Sequence, residues 1–249
     1  MSKPSRIRLY LEAALRPDAG AQIDAEQAHY LKNVMRRGVG DVVLLFNGHD
    51  GEWRAEIAAL ERRGGRLHVS EQTRPQPLTA DGGPWLLFAP VKRQLNDLIA
   101  QKATELGARV VWPVCTRHTN TERLRLDRLR AIVREAAEQC GRLDLPEIRE
   151  PASIEAALAD WPADRPLLVM DETGEASPIA HVAAELANGT NTDLAILIGP
   201  EGGFAQVELD ALVNLAFVKR AGLGPRMLRA ETAAIAALAT VQAIAGDWR

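Results

Sequence analysis

The apolar positions of this chain keep two different rhythms. Up to about residue 72 they alternate or come in short runs. RIRLYLE (6–12) sets Ile7, Leu9 and Leu11 on one face of a strand. Asp24 followed three residues later by Gln27 is a capping-box signature, and AEQAHYLKNVMRR (25–37) then repeats at helical period. After Gly40 come DVVLLFNG, GEWRAEIAAL and RLHVSEQ, separated by NGHDG and RRGG, a pattern that predicts an antiparallel meander closing into a small barrel. TRPQPLTADGGP (73–84) carries three prolines and two glycines and reads as a linker. Beyond it, apolar strands (WLLFAP, RVVWPVC, PLLVM, LAILIG) and a mixed one, FVKRAGL, alternate with helices. These are KRQLNDLIAQKATELG, LDRLRAIVREAAEQCG, a short one from Ser153, PIAHVAAELA, VELDALVNLA and AETAAIAALATVQAIAG. Such alternation predicts a parallel α/β sheet with both faces covered. The expected division is residues 1–72 and 73–249.

Composition changes this picture little. At 249 residues, 47% hydrophobic and 25% charged, the chain has enough apolar side chains for folded domains and is not disordered. The net charge of −3 announces no nucleic-acid binder, yet leaves room for a local basic face. No apolar run approaches a membrane span, and MSKPSRIRLYLE lacks the apolar core of a signal peptide. Cys115 and Cys140 have no metal-ligand spacing and need not pair, which suits a reducing cytoplasm. The five histidines (29, 49, 68, 118, 181) never fall at i, i+4, so no metal is expected.

In parallel α/β sheets, ligands bind beyond the carboxyl ends of strands. Two strand-to-helix loops stand out there. One is Gly199-Pro200-Glu201-Gly202-Gly203-Phe204; the other is AGLGPRMLRAET (221–232), on the next strand. Glycines permit positive φ and close approach of backbone to ligand, while proline stiffens the exit from the strand. Neither loop is GxxxxGK[ST] or GxGxxG, so a phosphate or dinucleotide cradle is poorly supported. A single such loop would be a routine turn; two on consecutive strands favour a compact, flat ligand held by main-chain groups. In the first region His29, Lys32, Asn33 and Arg36 share a helical face opposite Leu31, Val34 and Met35, with Arg37 adjacent. That wet, basic face is an ordinary surface helix or an RNA contact. Glu135, Gln139 and Arg142 are a solvated helix face or a polar wall, and Arg117 is a phosphate anchor or a routine cation.

The segments HYLKNVMRRGVGD (29–41), QKATELGARVVWPVCTRH (101–118), EAAEQCGRLDLPEI (135–148), LIGPEGGF (197–204) and LGPRMLRAETA (223–233) together closely resemble the RsmE family. These are bacterial methyltransferases acting on N3 of a uridine in small-subunit (16S) ribosomal RNA. The resemblance spans nearly the whole chain. It implies an N-terminal PUA-like β-barrel for RNA and a C-terminal SPOUT α/β domain, trefoil-knotted, that binds S-adenosylmethionine; it also implies a homodimer. On that template Gly199, Pro200, Glu201, Gly202 and Gly203, with Leu223, Gly224, Pro225, Met227, Leu228 and Arg229, surround the cofactor. Ile198, Met227 and Leu228 offer apolar and main-chain contacts to adenine, and Met170 lines the same pocket. His29, Lys32, Arg36, Arg37, Arg117 and Arg142 are the expected RNA contacts.

Two departures stand out. Where the family commonly has Ser-Glu-Arg, this chain has Cys115-Thr116-Arg117, and Ala205 replaces a frequent serine cap after GPEGGF. Methylating N3 requires loss of the N3 proton and stabilisation of the charge left on the uracil oxygens. Arg229 and Arg117 are the candidates for the second task, Glu201 and Glu231 for the first. Glu201 has an alternative role, holding its loop by accepting main-chain N–H bonds. Other readings are a SPOUT enzyme acting on a ribose 2′-OH or another base, and a non-catalytic RNA-binding module.

Overall fold

The computed structural model describes residues 7–77, 82–120, 124–187 and 193–248. The chain divides into two units, Met1–Ala80 with Ala137–Leu145, and Asp81–Ala136 with Pro146–Arg249. No single cut separates them, because residues 137–145 pack with the N-terminal segment.

The first unit begins with β1 (Arg8–Tyr10), β2 (Gly20–Ile23) and α1 (Ala25–His29), and continues with β3 (Val42–Phe46), β4 (Glu52–Glu61) and β5 (Gly64–Arg74). The strands form one sheet in the order β1-β3-β4-β5-β2. The predicted meander is its centre, β3 and β4 then β4 and β5 pairing antiparallel, while β1 runs parallel to β3. Along β4 and β5 burial alternates, so Ala55, Ile57, Leu67 and Val69 enter a core with Leu9, Leu31, Val43 and Leu45. The capping box forms as predicted: Gln27 N–H donates to Asp24 Oδ1 at 2.8 Å, and the Gln27 side chain accepts from Asp24 N–H.

The predicted helix does not run on as an α-helix. From Tyr30 to Val34 it is a π-turn, closed by Met35 N–H to Tyr30 C=O at 2.9 Å. The wider turn rotates later residues away from the α-helical register. Leu31 stays in the core, but Val34, expected beside it, is 59% exposed. The turn ends with Arg36 at φ 53°, in the left-handed region that glycine favours, and Arg37 N–H bonding Leu31 C=O at 2.8 Å.

Arg8 secures residues 137–145 within this unit. Its Nε lies 2.7 Å from Glu52 Oε2, and its Nη atoms donate to the carbonyls of Ala137 and Arg142, both at 2.7 Å. The guanidinium lies over the Phe46 ring, beside Ala137 and Leu143. Arg8 and Glu52 are both buried, and burying such a pair is tolerable only because the remaining donors are satisfied.

The second unit follows the predicted alternation: β6 (Trp85–Phe88), α2 (Arg93–Glu105), β7 (Val110–Cys115) and α3 (Leu126–Cys140), then β8 (Glu147–Ile148), β9 (Ala152–Ser153) and α4 (Ile154–Leu158). After these come β10 (Leu167–Met170), α5 (Ile179–Ala187), β11 (Ala195–Ile198), α6 (Gln206–Val213), β12 (Val218–Ala221) and α7 (Ala230–Ala245). The sheet order is β12-β10-β11-β6-β7-β8, with β9 also on β7, and every pairing is parallel. Buried on both faces, β10 and β11 are apolar throughout. The alanines of α7 let it lie close against the sheet, with Ala233, Ala234, Ala237, Leu238 and Val241 in the same core as Leu168 and Ile196. Among the described residues no helix is long and apolar enough to cross a membrane.

Candidate functional site

The order β12-β10-β11 brings three strand ends together that are far apart in sequence. Met170 pairs with Ala221, Val169 with Leu197, and Ile198 with Phe88, so these ends stand level. Met170, Ile198 and Ala221 are buried and make an apolar floor. Three loops rise from it, residues 171–178, 199–205 and 222–229. The first and third are joined by a parallel bridge between Pro178 and Gly222, with Gly222 N–H donating to Ser177 C=O at 2.9 Å.

Main-chain groups are available here. From Leu223 to Leu228 the described structure gives the N–H and C=O groups no hydrogen-bond partner within the chain, and Met227 is 81% exposed. Six residues of unspent backbone beside an apolar floor suit a flat heterocycle with polar edges. The loop after β11 is rigid where the third is open. Gly203 N–H closes a turn onto Pro200 C=O at 2.9 Å, and Gly203 has φ 69°. A Cβ at Gly199 would stand 2.9 Å from the Phe204 ring, and one at Gly203 would collide with Glu172 Oε1. The Phe204 ring thus calls for glycine at 199, and at 203 the positive φ does, since the Glu172 side chain could swing aside.

The sequence-predicted residues fall as follows. Gly199 to Gly203, Leu223 to Arg229, Met170 and Ile198 lie on the floor or its loops. Arg229 is the exposed N-cap of α7, with no capping bond from its side chain. Glu201 is exposed and accepts no main-chain N–H among the described residues, so it does not hold the loop as its alternative role required. Glu231, in the first turn of α7, keeps Oε2 buried without a hydrogen-bond partner. Arg117 lies in the turn after β7 with its side chain exposed. In the first unit His29, Lys32, Arg36 and Arg37 are all exposed on the π-turn and its ends, Arg37 with a 4.0 Å approach to Asp41. Arg142 is different: Nε and Nη2 form a two-pronged pair with Asp144 at 2.9 and 3.0 Å, which commits its guanidinium.

Several side chains at the site were not singled out by sequence. Ala205 supplies no side-chain cap, but Glu208 fills the reciprocal half of the box: its Oε2 accepts Ala205 N–H at 2.9 Å while Oε1 accepts Arg117 N–H at 2.8 Å. His118 Nδ1 lies 3.2 Å from the carbonyls of both Gly202 and Gly203, which fixes the proton on Nδ1 because carbonyls only accept. Asp171 Oδ1 accepts Thr173 N–H at 2.8 Å, and its Oδ2 is paired with Arg220. Burial pushes the Asp171 carboxyl up, but the Thr173 N–H and hydroxyl and the Arg220 guanidinium outweigh it and hold the group below the usual carboxylate range. The spacing of Ala205 and Glu208 was the one available signal, since an acid at the third helical position reaches back to the cap.

A cavity of about 270 Å³ lies elsewhere in the second unit, between Arg93, Asn96 and Asp97 of α2 and Leu124, Arg125, Arg128 and Leu129 at the start of α3. None of its lining belongs to the three loops. Among the described residues no group of His, Cys, Asp and Glu side chains could hold a metal ion.

A parallel sheet with its site on successive strand-end loops, preceded by a small mixed sheet, matches known families. A family model described as RNA methyltransferase domain matches residues 84–242, and one described as RNA methyltransferase PUA domain matches residues 23–69. The second unit is thus an RNA methyltransferase domain, and the first is PUA-like.

The ribosomal RNA small subunit methyltransferase E of Rickettsia conorii is 33% identical over 236 residues, 94% of each chain. That of Bacillus subtilis is 30% identical over 88% of each. The chain belongs to this family, ribosomal RNA small subunit methyltransferase E. Among solved structures, the Neisseria gonorrhoeae enzyme bound to S-adenosyl methionine superposes with a TM-score of 0.85 at 24% identity, covering 98% of this chain and 99% of that one. A putative methyltransferase from Legionella pneumophila, in complex with the cofactor SAM, superposes with a TM-score of 0.78 at 25% identity, covering 95% and 97%.

Proposed function

We propose that this enzyme transfers a methyl group from S-adenosylmethionine to N3 of a uridine in small-subunit (16S) ribosomal RNA. The observation that carries the reading is the unspent backbone of Leu223–Leu228 beside the level, apolar ends of β10, β11 and β12. Such a shelf accepts adenine by main-chain hydrogen bonds and the apolar contacts of Ile198, Met227 and Leu228. Gly199 to Gly203 form the wall that excludes bulk, and Met170 the floor. S-adenosylmethionine bound there supplies an electrophilic methyl on a sulfonium, open to in-line displacement.

The protein's own tasks are to place the base, remove the N3 proton and steady the resulting charge. Arg229, at the rim where α7 begins, and Arg117, in the turn after β7, direct cations at the uracil oxygens. Of the two carboxylates, Glu231 suits the base better, because its buried oxygen is unspent while Glu201 faces solvent. N3 lies on the pairing edge, so the uridine must be unpaired to react. The PUA-like unit grips RNA through His29, Lys32, Arg36 and Arg37; the paired Arg142 contributes less. The enzyme works in the cytoplasm as a homodimer on RNA within the small subunit. The family resemblance implies that its C-terminal segment is threaded as a trefoil knot.

The test is methylation of small subunits from a strain lacking the activity, followed by mass spectrometry of the rRNA. A methyl on uridine N3 is expected. A methyl on a ribose or on another base would overturn the substrate assignment, and no cofactor binding in calorimetry would remove the enzyme reading.

A further inference from the structure

We infer that Glu208 is a positioning residue that docks the Arg117 turn onto the glycine loop, so that one buried carboxylate sets where that cation stands relative to the methyl-donor pocket. The inference rests on the role proposed above for Arg117.

Strands β7 and β11 are not neighbours; β6 runs between them. Their following loops therefore start two strand spacings apart, about 10 Å. Glu208 nonetheless binds both, accepting Arg117 N–H at 2.8 Å on one oxygen and Ala205 N–H at 2.9 Å on the other. A glutamate serving only as the reciprocal half of a helix cap needs one oxygen and stands in water. Here the residue is 6% exposed, and its second oxygen is spent on a main chain 91 positions away. Burial of a carboxylate is costly unless it is hydrogen-bonded, and charge-assisted bonds to two N–H groups meet that cost.

The contact is not isolated. His118 Nδ1 lies 3.2 Å from the carbonyls of Gly202 and Gly203. The turn between them is stiffened by Thr119 N–H to Thr116 C=O at 3.1 Å and by Thr116 N–H to the Thr119 hydroxyl at 2.8 Å. The main-chain N–H of Arg117 and the imidazole of the next residue are thereby tied to the glycine loop and the helix that follows it, while the guanidinium itself is exposed. A cation on a free loop would need ordering in each turnover; here the backbone is ordered beforehand.

Two measurements on the full-length protein test this. Hydrogen exchange on the protein without cofactor compares wild type with Glu208→Ala and the near-isosteric Glu208→Gln. Faster exchange is expected in both segments 115–119 and 199–206, with Gln intermediate because its amide keeps one acceptor oxygen. If only 199–206 loosens while 115–119 keeps its protection, Glu208 is a helix cap and the inference is wrong. Single-turnover methyl transfer then completes a cycle of Glu208→Gln, Arg117→Ala and the double variant. Glu208→Gln is expected to slow transfer about 10-fold, an order of magnitude short of a 1 Å misplacement. In the Arg117→Ala background it should cost less than in the wild type, the remainder coming from the loosened glycine loop; rate losses that multiply in full would overturn the inference. Wild-type turnover in Arg117→Ala alone would instead remove the proposed role of Arg117, and exchange would still decide whether the brace exists.

Discussion

The PUA-like unit and the methyltransferase unit present their proposed ligand groups in opposite ways. In the first they are charged side chains, His29, Lys32, Arg36 and Arg37, standing in water on a π-turn. In the second they are largely main-chain groups of the open loop 223–228, flanked by segments that Glu208, His118 and the Asp171–Arg220 pair tie down. Coulomb attraction to a phosphate tolerates displacement of an ångström or more and fades with salt. A hydrogen bond to the edge of a base does not tolerate it. The buried charges of the second unit therefore act on loop placement, whereas the buried charge pair of the first, Arg8 with Glu52, serves the fold.

Breaking that pair should produce the largest effect. Arg8→Ala leaves the buried Glu52 with the Thr73 hydroxyl at 2.9 Å and Arg74 at 3.9 Å, and frees the carbonyls of Ala137 and Arg142, so urea unfolding should show a loss of about 3 kcal/mol. Next comes the rigid loop. Gly203→Val forces a β-branched residue into φ 69° against Glu172. Strain of about 1–3 kcal/mol should weaken S-adenosylmethionine binding about 10- to 100-fold in calorimetry. Unchanged affinity would show that the second unit is as tolerant as the first.

Replacing Lys32, Arg36 and Arg37 together by alanine should leave cofactor affinity intact. In filter binding, the slope of log affinity against log salt should fall by about 0.7 for each phosphate that is no longer neutralised. An unaltered slope would remove RNA binding from the π-turn. The smallest effect concerns acid. Asp171 is held below the usual carboxylate range in the folded state, so its contribution to stability is complete above about pH 5 and fades as pH falls through 4. Asp171→Asn should flatten the acid limb of thermal melts taken between pH 7 and 3, and an unchanged limb would show that the Arg220 pair does not stabilise the fold.

Much of this was legible from sequence because it is local. The alternation along β4 and β5, the capping box at Asp24, the missing cap at Ala205 and the apolar runs of β10 and β11 are each written within a few residues. β2 went unseen because Gly20-Ala21-Gln22-Ile23 offers only two apolar positions, and β8 and β9 because two residues carry no period. The π-turn escaped since the α and π registers of AEQAHYLKNVMRR differ by one extra residue, which only the burial of Leu31 and exposure of Val34 reveal. Arg142 reads as a free surface cation until Asp144 is seen to hold it.

By itself, then, the sequence determined the order and kind of the elements and the two glycine loops that open beyond consecutive strands, because backbone preference and apolar period act over short range. Tertiary structure decided which strand ends stand level, that residues 137–145 pack with the first unit, and that Glu208 holds Arg117 across the end of β6. Those outcomes depend on strand order and on pairs of charges that can be buried only together, and neither leaves a trace within any short stretch of chain.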